Sequence, residues 1–345
     1  MNKSWFKLHI VLLILFLGFS CDQSIDSNSE ESDSWVVELP DYFPKMNVPA
    51  KNPMSISKVA LGAKLFYDPA LSVDSTISCA SCHLPQFAFT DRMAKSVGVS
   101  KNLTARNSPT LVNLAFHPYL MFDGGIPTLE LQAIAPLMHP DEMGFDLFKV
   151  AQLLNSDQEY VKLSQQVFNE YLNAQNIAYA LAAFQRALLS YQSPYDKYLQ
   201  GDNKALSPEQ LRGKELFFSE ELNCTACHSG FNFSDFEFYN IGLYWEYADK
   251  GRWRVTEDEN DEGKFKVPTL RNIELTGPYM HDGSIVSLEE VIDFKMSGGA
   301  DHPIKSEKVH SFYLSEFDKA ALIEFLYSLT DKESVKREEE RRIKI

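Results

Sequence analysis

Two short stretches hold residues whose types and spacing point to a particular chemistry: Cys79-Ala-Ser-Cys82-His83 and Cys224-Thr-Ala-Cys227-His228. Cys-x-x-Cys-His is the attachment signature of c-type haem. The reason is geometric. Two thiols three residues apart on one helical turn reach the two vinyl groups of one macrocycle, and the histidine that follows faces the iron as proximal ligand. A dithiol redox centre would need a βαβ context, which the sequence does not show. A four-cysteine zinc site would need the two pairs to converge and would leave both trailing histidines without a use. The motifs therefore predict two covalent haem c groups, bound by Cys79, Cys82 and His83 and by Cys224, Cys227 and His228.

The elements around the motifs repeat. LGAKLFYDPALS precedes the first and LRGKELFFSEEL the second. Further on, Pro109-Thr110-Leu111, Asp123-Gly124-Gly125 and Leu129-Glu130 each recur 159 positions later, as Pro268-Thr269-Leu270, Asp282-Gly283-Ser284 and Leu288-Glu289. The periodicity is helical. Apolar residues at helical spacing predict a helix over Asn176–Tyr191. Ser207-Pro208-Glu209-Gln210 is a helix start, with a capping hydroxyl, proline at the first position and glutamine at the third. A helix over Leu288–Met296 is stopped by Ser297-Gly298-Gly299, and an amphipathic helix over Phe317–Leu329 closes the fold. No sustained period-2 alternation is present. The expected fold is all-α, two tandem cytochrome c-like domains spanning residues 46–192 and 193–335, with a charged, solvated helical tail at 336–345.

Composition limits the partners and suggests the compartment. The 345 residues carry 48 acidic against 33 basic side chains, a formal charge of −15. That balance excludes a nucleic-acid partner, which needs a basic footprint. Mean hydropathy is −0.25, and no apolar run reaches the roughly 18–20 residues of a membrane span. Lys3 and Lys7 precede the short apolar core Leu8–Phe19, which reads as a secretory signal over residues 1–20. It ends on Gly18-Phe19-Ser20-Cys21, similar to a bacterial lipoprotein signal, with glycine where such signals usually carry leucine. The expectation is export, with a lipid anchor on Cys21 and a periplasmic, outer-membrane or surface location. Residues 21–45 then read as a disordered acidic tether.

RNSPTLVN (Arg106–Asn113) and GKFKVPTLRNIELTGPYMHDGS (Gly263–Ser284) carry a family resemblance. From about Pro53 to Leu329 the chain resembles the bacterial di-haem cytochrome c peroxidases and the related MauG-type enzymes. The resemblance implies that His83 is the proximal ligand of a peroxidatic haem and His228 that of an electron-transfer haem. It implies that Glu142, in HPDEMG, is the distal catalytic carboxylate. It also implies calcium between the domains, held by Asn107 and by the carbonyls of Thr276 and Pro278. The implied partners are hydrogen peroxide, a small donor cytochrome c or cupredoxin, and a second copy in a homodimer.

Three positions depart from the family pattern. Val99 stands where many relatives carry a histidine that blocks the resting peroxidatic iron, so an open site is expected; His117 and His139 read as ordinary polar loop residues. Phe122 replaces a tryptophan between the haems. The sixth ligand of the second iron falls at Lys295 or Met296, which point about 100° apart on a helix. The thioether of Met296 is preferred, because it raises the potential as an electron-accepting haem requires, and Lys295 is the alternative. Met280 reads as packing. Two other functions stay open: a MauG-type oxidase that modifies a partner protein, and a non-catalytic di-haem electron carrier.

Overall fold

A computed structural model describes residues 33–344. The signal peptide at 1–20, the anchor at Cys21 and the first part of the tether lie outside the described residues. In chain order the helices are α1 (Ile56–Tyr67), α2 (Leu129–Gln132), α3 (Ala135–Met138), α4 (Leu147–Leu154), α5 (Gln158–Phe168), α6 (Ala174–Arg186), α7 (Pro194–Leu199), α8 (Pro208–Phe217), α9 (Trp253–Thr256), α10 (Leu288–Ser297), α11 (Glu316–Tyr327) and α12 (Lys332–Lys344). Two-residue strands β1 (Phe238–Tyr239) and β2 (Phe265–Lys266) pair antiparallel. The fold is all-α, with cytochrome c-like halves, as expected. None of the described helices is long and apolar enough to cross a membrane.

Each half is built on one tight helix crossing. In the first, α1 lies on α6; in the second, α8 lies on α11. The sequence repeat explains why the two crossings match. A Cβ on Gly62 would sit 1.9 Å from the Ala180 carbonyl oxygen, and one on Gly213 would sit 1.9 Å from that of Ala321. Glycine is the residue that lets the backbones approach this closely. Four residues on, Phe66 meets Phe184 at 5.0 Å between ring centroids and Phe217 meets Phe325 at 5.3 Å. The buried apolar residues accordingly form one large core between Val59 and Leu188 and another between Tyr195 and Leu329, with a small third cluster of Leu120, Leu129 and Ala182.

The halves join through polar groups that are fully buried. Asn113 and Asn272 occupy the same place in the repeat, both in the left-handed region with φ of 61° and 60°. Asn113 exchanges hydrogen bonds with the Ser190 backbone, while Asn272 donates to the Ser190 hydroxyl and accepts from the Asp331 N–H. Beside them Arg271 makes a two-pronged ion pair with Asp196, at 2.8 and 2.9 Å. Burial alone would raise the Asp196 carboxyl, but Arg271, Ser193 and Tyr42 hold it below the usual carboxylate range.

Helix ends follow their capping residues. Ser207 caps α8 and shares a capping box with Gln210, and Gly298 ends α10 in the left-handed region, both as expected. Other boundaries differ. The helix expected over 176–191 stops at Arg186, because the backbone beyond it is claimed by side chains: Asp331 takes the N–H groups of Tyr191 and Gln192. The tether expected to reach residue 45 is built into the fold from Asp33 onward. Asp33 accepts from the N–H and hydroxyl of Ser57, Tyr42 donates to Asp196, and Phe43 is buried against Phe231. Trp35, Tyr42 and Phe43 supply the apolar surface that residues 22–34 lack. The tail at 336–345 is also more than a solvated helix. Within α12, Ser334 and Glu338 are buried, Arg337 donates to the Leu189 carbonyl and Arg341 lies over the Phe184 ring. The C-terminal helix thus packs back onto the first half.

The helix crossings give a direct test. Gly62→Val or Gly213→Val forces backbone against backbone, an overpacking cost of about 3 kcal/mol. The thermal midpoint of either variant is expected to fall well below that of the parent protein. An unchanged midpoint would refute the close crossing.

Candidate functional site

The first motif is a single 3-10 turn, Cys79–Ser81, with the Cys82 and His83 N–H groups bonded back to the Cys79 carbonyl at 3.2 and 3.0 Å. The His83 Nδ1–H donates to the Phe89 carbonyl at 2.7 Å. That bond fixes the tautomer and leaves Nε2 free as a ligand. The Phe89 carbonyl is aimed by two left-handed residues, Ala88 and Phe89, and the Thr110 hydroxyl secures the turn by donating to the Ala88 carbonyl at 2.6 Å.

The second motif repeats this construction. Cys224–Ala226 forms the turn, His228 Nδ1–H donates to the Phe233 carbonyl at 2.9 Å, and Thr269 donates to the Asn232 carbonyl at 2.7 Å. The repeated Pro-Thr-Leu thus has a role the sequence alone did not reveal. Its threonine holds the loop that orients the proximal histidine. The signal was present in the repeat itself, in two threonines at the same offset.

The side-chain chemistry fits covalent haem c. Burial, with Cys82 and Glu142 adding, pushes the Cys79 thiol up to about 12, and burial pushes Cys82 and Cys224 up to about 11. Such protonated thiols make poor redox nucleophiles. Burial lowers His83, and brings His228 to about 4, so both imidazoles are neutral and able to ligate. Cys79 packs against the first core and Cys224 against the second, so the pairs serve separate sites. A cavity of about 300 Å³ opens on Cys224, Cys227 and His228, and extends to Asn107, Thr110 and Phe122 of the first half.

Glu142 adds its charge to what opposes ionisation of Cys79 and Cys82. Its main chain is held on both sides, donating to His139 O at 3.0 Å and accepting from Val99 N–H at 2.8 Å. Burial raises its carboxyl above the usual range, with Asp141 adding and His139, 3.9 Å away, opposing. The place expected to lack a blocking imidazole is therefore filled by Val99, strapped to Glu142 itself. His139 is an exposed loop residue, as expected. His117 is not: it is buried between the halves, with Nε2 on Asn232 at 3.1 Å and Nδ1 on Lys266 at 3.2 Å. Both of its nitrogens are engaged.

Asn107, Thr276 and Pro278 line the same cavity. The Asn107 amide nitrogen donates to the Met93 carbonyl at 2.8 Å, which leaves its oxygen free to bind a cation. Phe122 and Phe265 also line this cavity, and Phe265 stacks on His281 at 3.8 Å between centroids.

Helix α10 places the two sixth-ligand candidates differently. On α10, Leu288, Ile292 and Lys295 face the cavity, as residues spaced by four and three must. Met296 is not among the residues lining it; its side chain packs against the second core and its carbonyl accepts from Phe312 N–H.

Comparison with known proteins agrees with this architecture. Residues 56–204 match the family described as di-haem cytochrome c peroxidase. The chain is 37% identical to the methylamine utilization protein MauG of Methylorubrum extorquens, over 81% of this chain and 80% of that one. It is 32% identical to the cytochrome c551 peroxidase of Pseudomonas aeruginosa, over 81% of each. The crystal structure of a MauG-like protein associated with microbial copper homeostasis superposes with a TM-score of 0.84 at 36% identity, covering 88% of this chain and 97% of that one. On its motifs, its repeated scaffold and these relatives, the chain belongs to the di-haem cytochrome c peroxidase family.

Proposed function

We propose that this protein reduces hydrogen peroxide to two waters with two electrons and two protons, the electrons coming from a small cytochrome c or cupredoxin. The observation that carries this reading is Glu142, a carboxylate held beside the first Cys-x-x-Cys-His motif with Val99 in place of a blocking imidazole. Haem c on each motif supplies redox-active iron, for peroxide in the first half and for electron entry in the second. The chain's own residues do the rest. The Nδ1–H bonds to Phe89 and Phe233 keep His83 and His228 in place and strengthen them as donors. Glu142 takes a proton from one peroxide oxygen and delivers it to the leaving oxygen, as general base and then general acid. Asn107, with the carbonyls of Thr276 and Pro278, offers an all-oxygen set suited to calcium at the junction. Export, a lipid anchor on Cys21 and a homodimer complete the proposal.

A MauG-type oxidase acting on a partner protein is the second reading. Val99 favours it, because a permanently open first site suits an enzyme that needs no prior reduction.

The test is steady-state oxidation of a reduced small cytochrome c by hydrogen peroxide, using the fully oxidised protein. Turnover without prereduction is expected, and Glu142→Gln should lower it by about 10²-fold or more. Glu142 must be ionised to accept a proton, and its pKa is raised. Activity should therefore fall on acidification at a pH above the ordinary glutamate range, and Glu142→Gln should lose that limb. Full activity in the variant would exclude the proposed role. Absence of turnover with any donor, while peroxide still oxidises the haems, would favour the protein-modifying oxidase.

Calcium has its own measurement. Treatment with a chelator is expected to lower turnover, and added calcium to restore it. A purified protein that contains no calcium and ignores the chelator would remove the metal from the proposal.

A further inference from the structure

Helix α10 carries Leu288, Ile292 and Lys295 into the second cavity at successive turns. Two of the three are apolar; the third brings an amine. No carboxylate, carbonyl or hydroxyl meets the Lys295 Nζ among the described residues, and its close neighbour is the Phe294 ring, 5.5 Å away. Lys295 lines the same cavity as Cys224, Cys227 and His228. The cavity's other basic side chains are occupied. Lys308 donates to the Ala226 carbonyl and to Tyr239, Lys266 meets His117, His310 meets the Glu221 carbonyl, and His281 is stacked on Phe265. An ammonium left in such a space without a counter-charge is unfavourable. A neutral amine facing a metal is not.

We propose that Lys295 is the sixth ligand of the iron held by His228, binding through its neutral Nζ. This rests on the di-haem reading above. The bond formed is Nζ–iron, and its electron pair is the one freed when the ammonium gives a proton to solvent. Met296, the neighbouring candidate, is not among the residues that line the cavity. An amine favours ferric iron over ferrous more than a thioether does, so the second haem should have a lower potential than a histidine–methionine haem.

The experiment uses the haem-loaded full chain and its ferric spectra: electron paramagnetic resonance, and the near-infrared charge-transfer band that separates amine from thioether ligation. The parent protein should show one high-spin haem and one low-spin haem of the histidine–amine type. Met296→Leu should leave that low-spin spectrum unchanged. Lys295→Ala should convert it to high-spin, and Lys295→Met should restore a low-spin haem with a shifted near-infrared band and a higher midpoint potential. A low-spin spectrum that survives Lys295→Ala, or vanishes in Met296→Leu, overturns the assignment. If the Lys295 variants load haem poorly, the parent spectrum decides alone, and a thioether band overturns the proposal. Haem counting by pyridine haemochrome separates the two levels. A second motif carrying no haem defeats the di-haem reading and the ligand with it, whereas two haems with thioether ligation defeat the ligand alone.

Discussion

A proximal histidine is useful only if its Nε2 points one way, and in each half a single hydrogen bond decides that direction. The bond runs from Nδ1 to the carbonyl of Phe89 or Phe233. Much of the surrounding local structure can be traced to it. The carbonyl points inward because Phe89 and Phe233 adopt positive φ, which a non-glycine residue takes up only when its surroundings hold it there. Thr110 and Thr269 supply that hold by pinning the preceding carbonyl. These threonines are fixed in turn by a turn that ends at Asn113 or Asn272, and those asparagines reach the junction at Ser190. In the second half hydrogen bonds continue by linking Thr269 to Asn232 and Asn232 to Asn113 of the first half.

The seam has to be rigid, because a site assembled from two halves is only as well defined as their contact. Asn113 reaches across it to Asn232 and Asn272 to Ser190, and beside these bonds the second half holds the ion pair of Arg271 with Asp196, whose side chains are 1% and 0% exposed. A buried pair adds little net stability over a well-packed apolar contact, yet removing one partner typically costs about 3–5 kcal/mol, because the other charge is then stranded. Here every charged atom finds a partner. Arg271 uses its third nitrogen on the Phe231 carbonyl, and Asp196 also accepts from Ser193 and Tyr42. The pair therefore fixes one relative position of the elements it joins, including the N-terminal segment that carries Tyr42.

What was legible in the sequence was local or repeated. The cysteine motifs read directly, because their chemistry lies within five residues. The capping signals at Ser207 and Gly298 read correctly for the same reason. The crossings of α1 on α6 and α8 on α11 were implicit in two glycines at the same repeat position. What did not read depended on partners far along the chain. No local signal ends α6 at Arg186; Asn113 and Asp331, from across the fold, take the N–H groups of Ser190, Tyr191 and Gln192 at the end of the stretch expected to be helical. Likewise α12 looks fully solvated by composition, and its Glu338 is buried only because Arg337 and Arg341 flank it against the first half. His117 looked like a loop residue because the sequence does not show that Asn232 and Lys266 close over it.

The duplication also shows how two alike scaffolds come to differ in chemistry. Counting back by the repeat offset, Lys295 and Met296 correspond to Pro136 and Leu137. Proline offers no donor, and Leu137 is fully buried in the first core, so the first half has nothing at that place to bind a metal. The first half carries instead the segment from His139 to Gly144, with the Val99 N–H bonded to the Glu142 carbonyl. The second half reverses this arrangement: α10 delivers an amine into a largely apolar cavity, and among the described residues no carboxylate lines it. A carboxylate without a competing ligand suits the handling of a small protic oxidant. A strong nitrogen donor without an acid suits a centre that changes charge and binds nothing. The same turn, the same histidine–carbonyl bond and the same helix crossing thus serve both halves, and the division of labour is set by what stands on the far side of each motif.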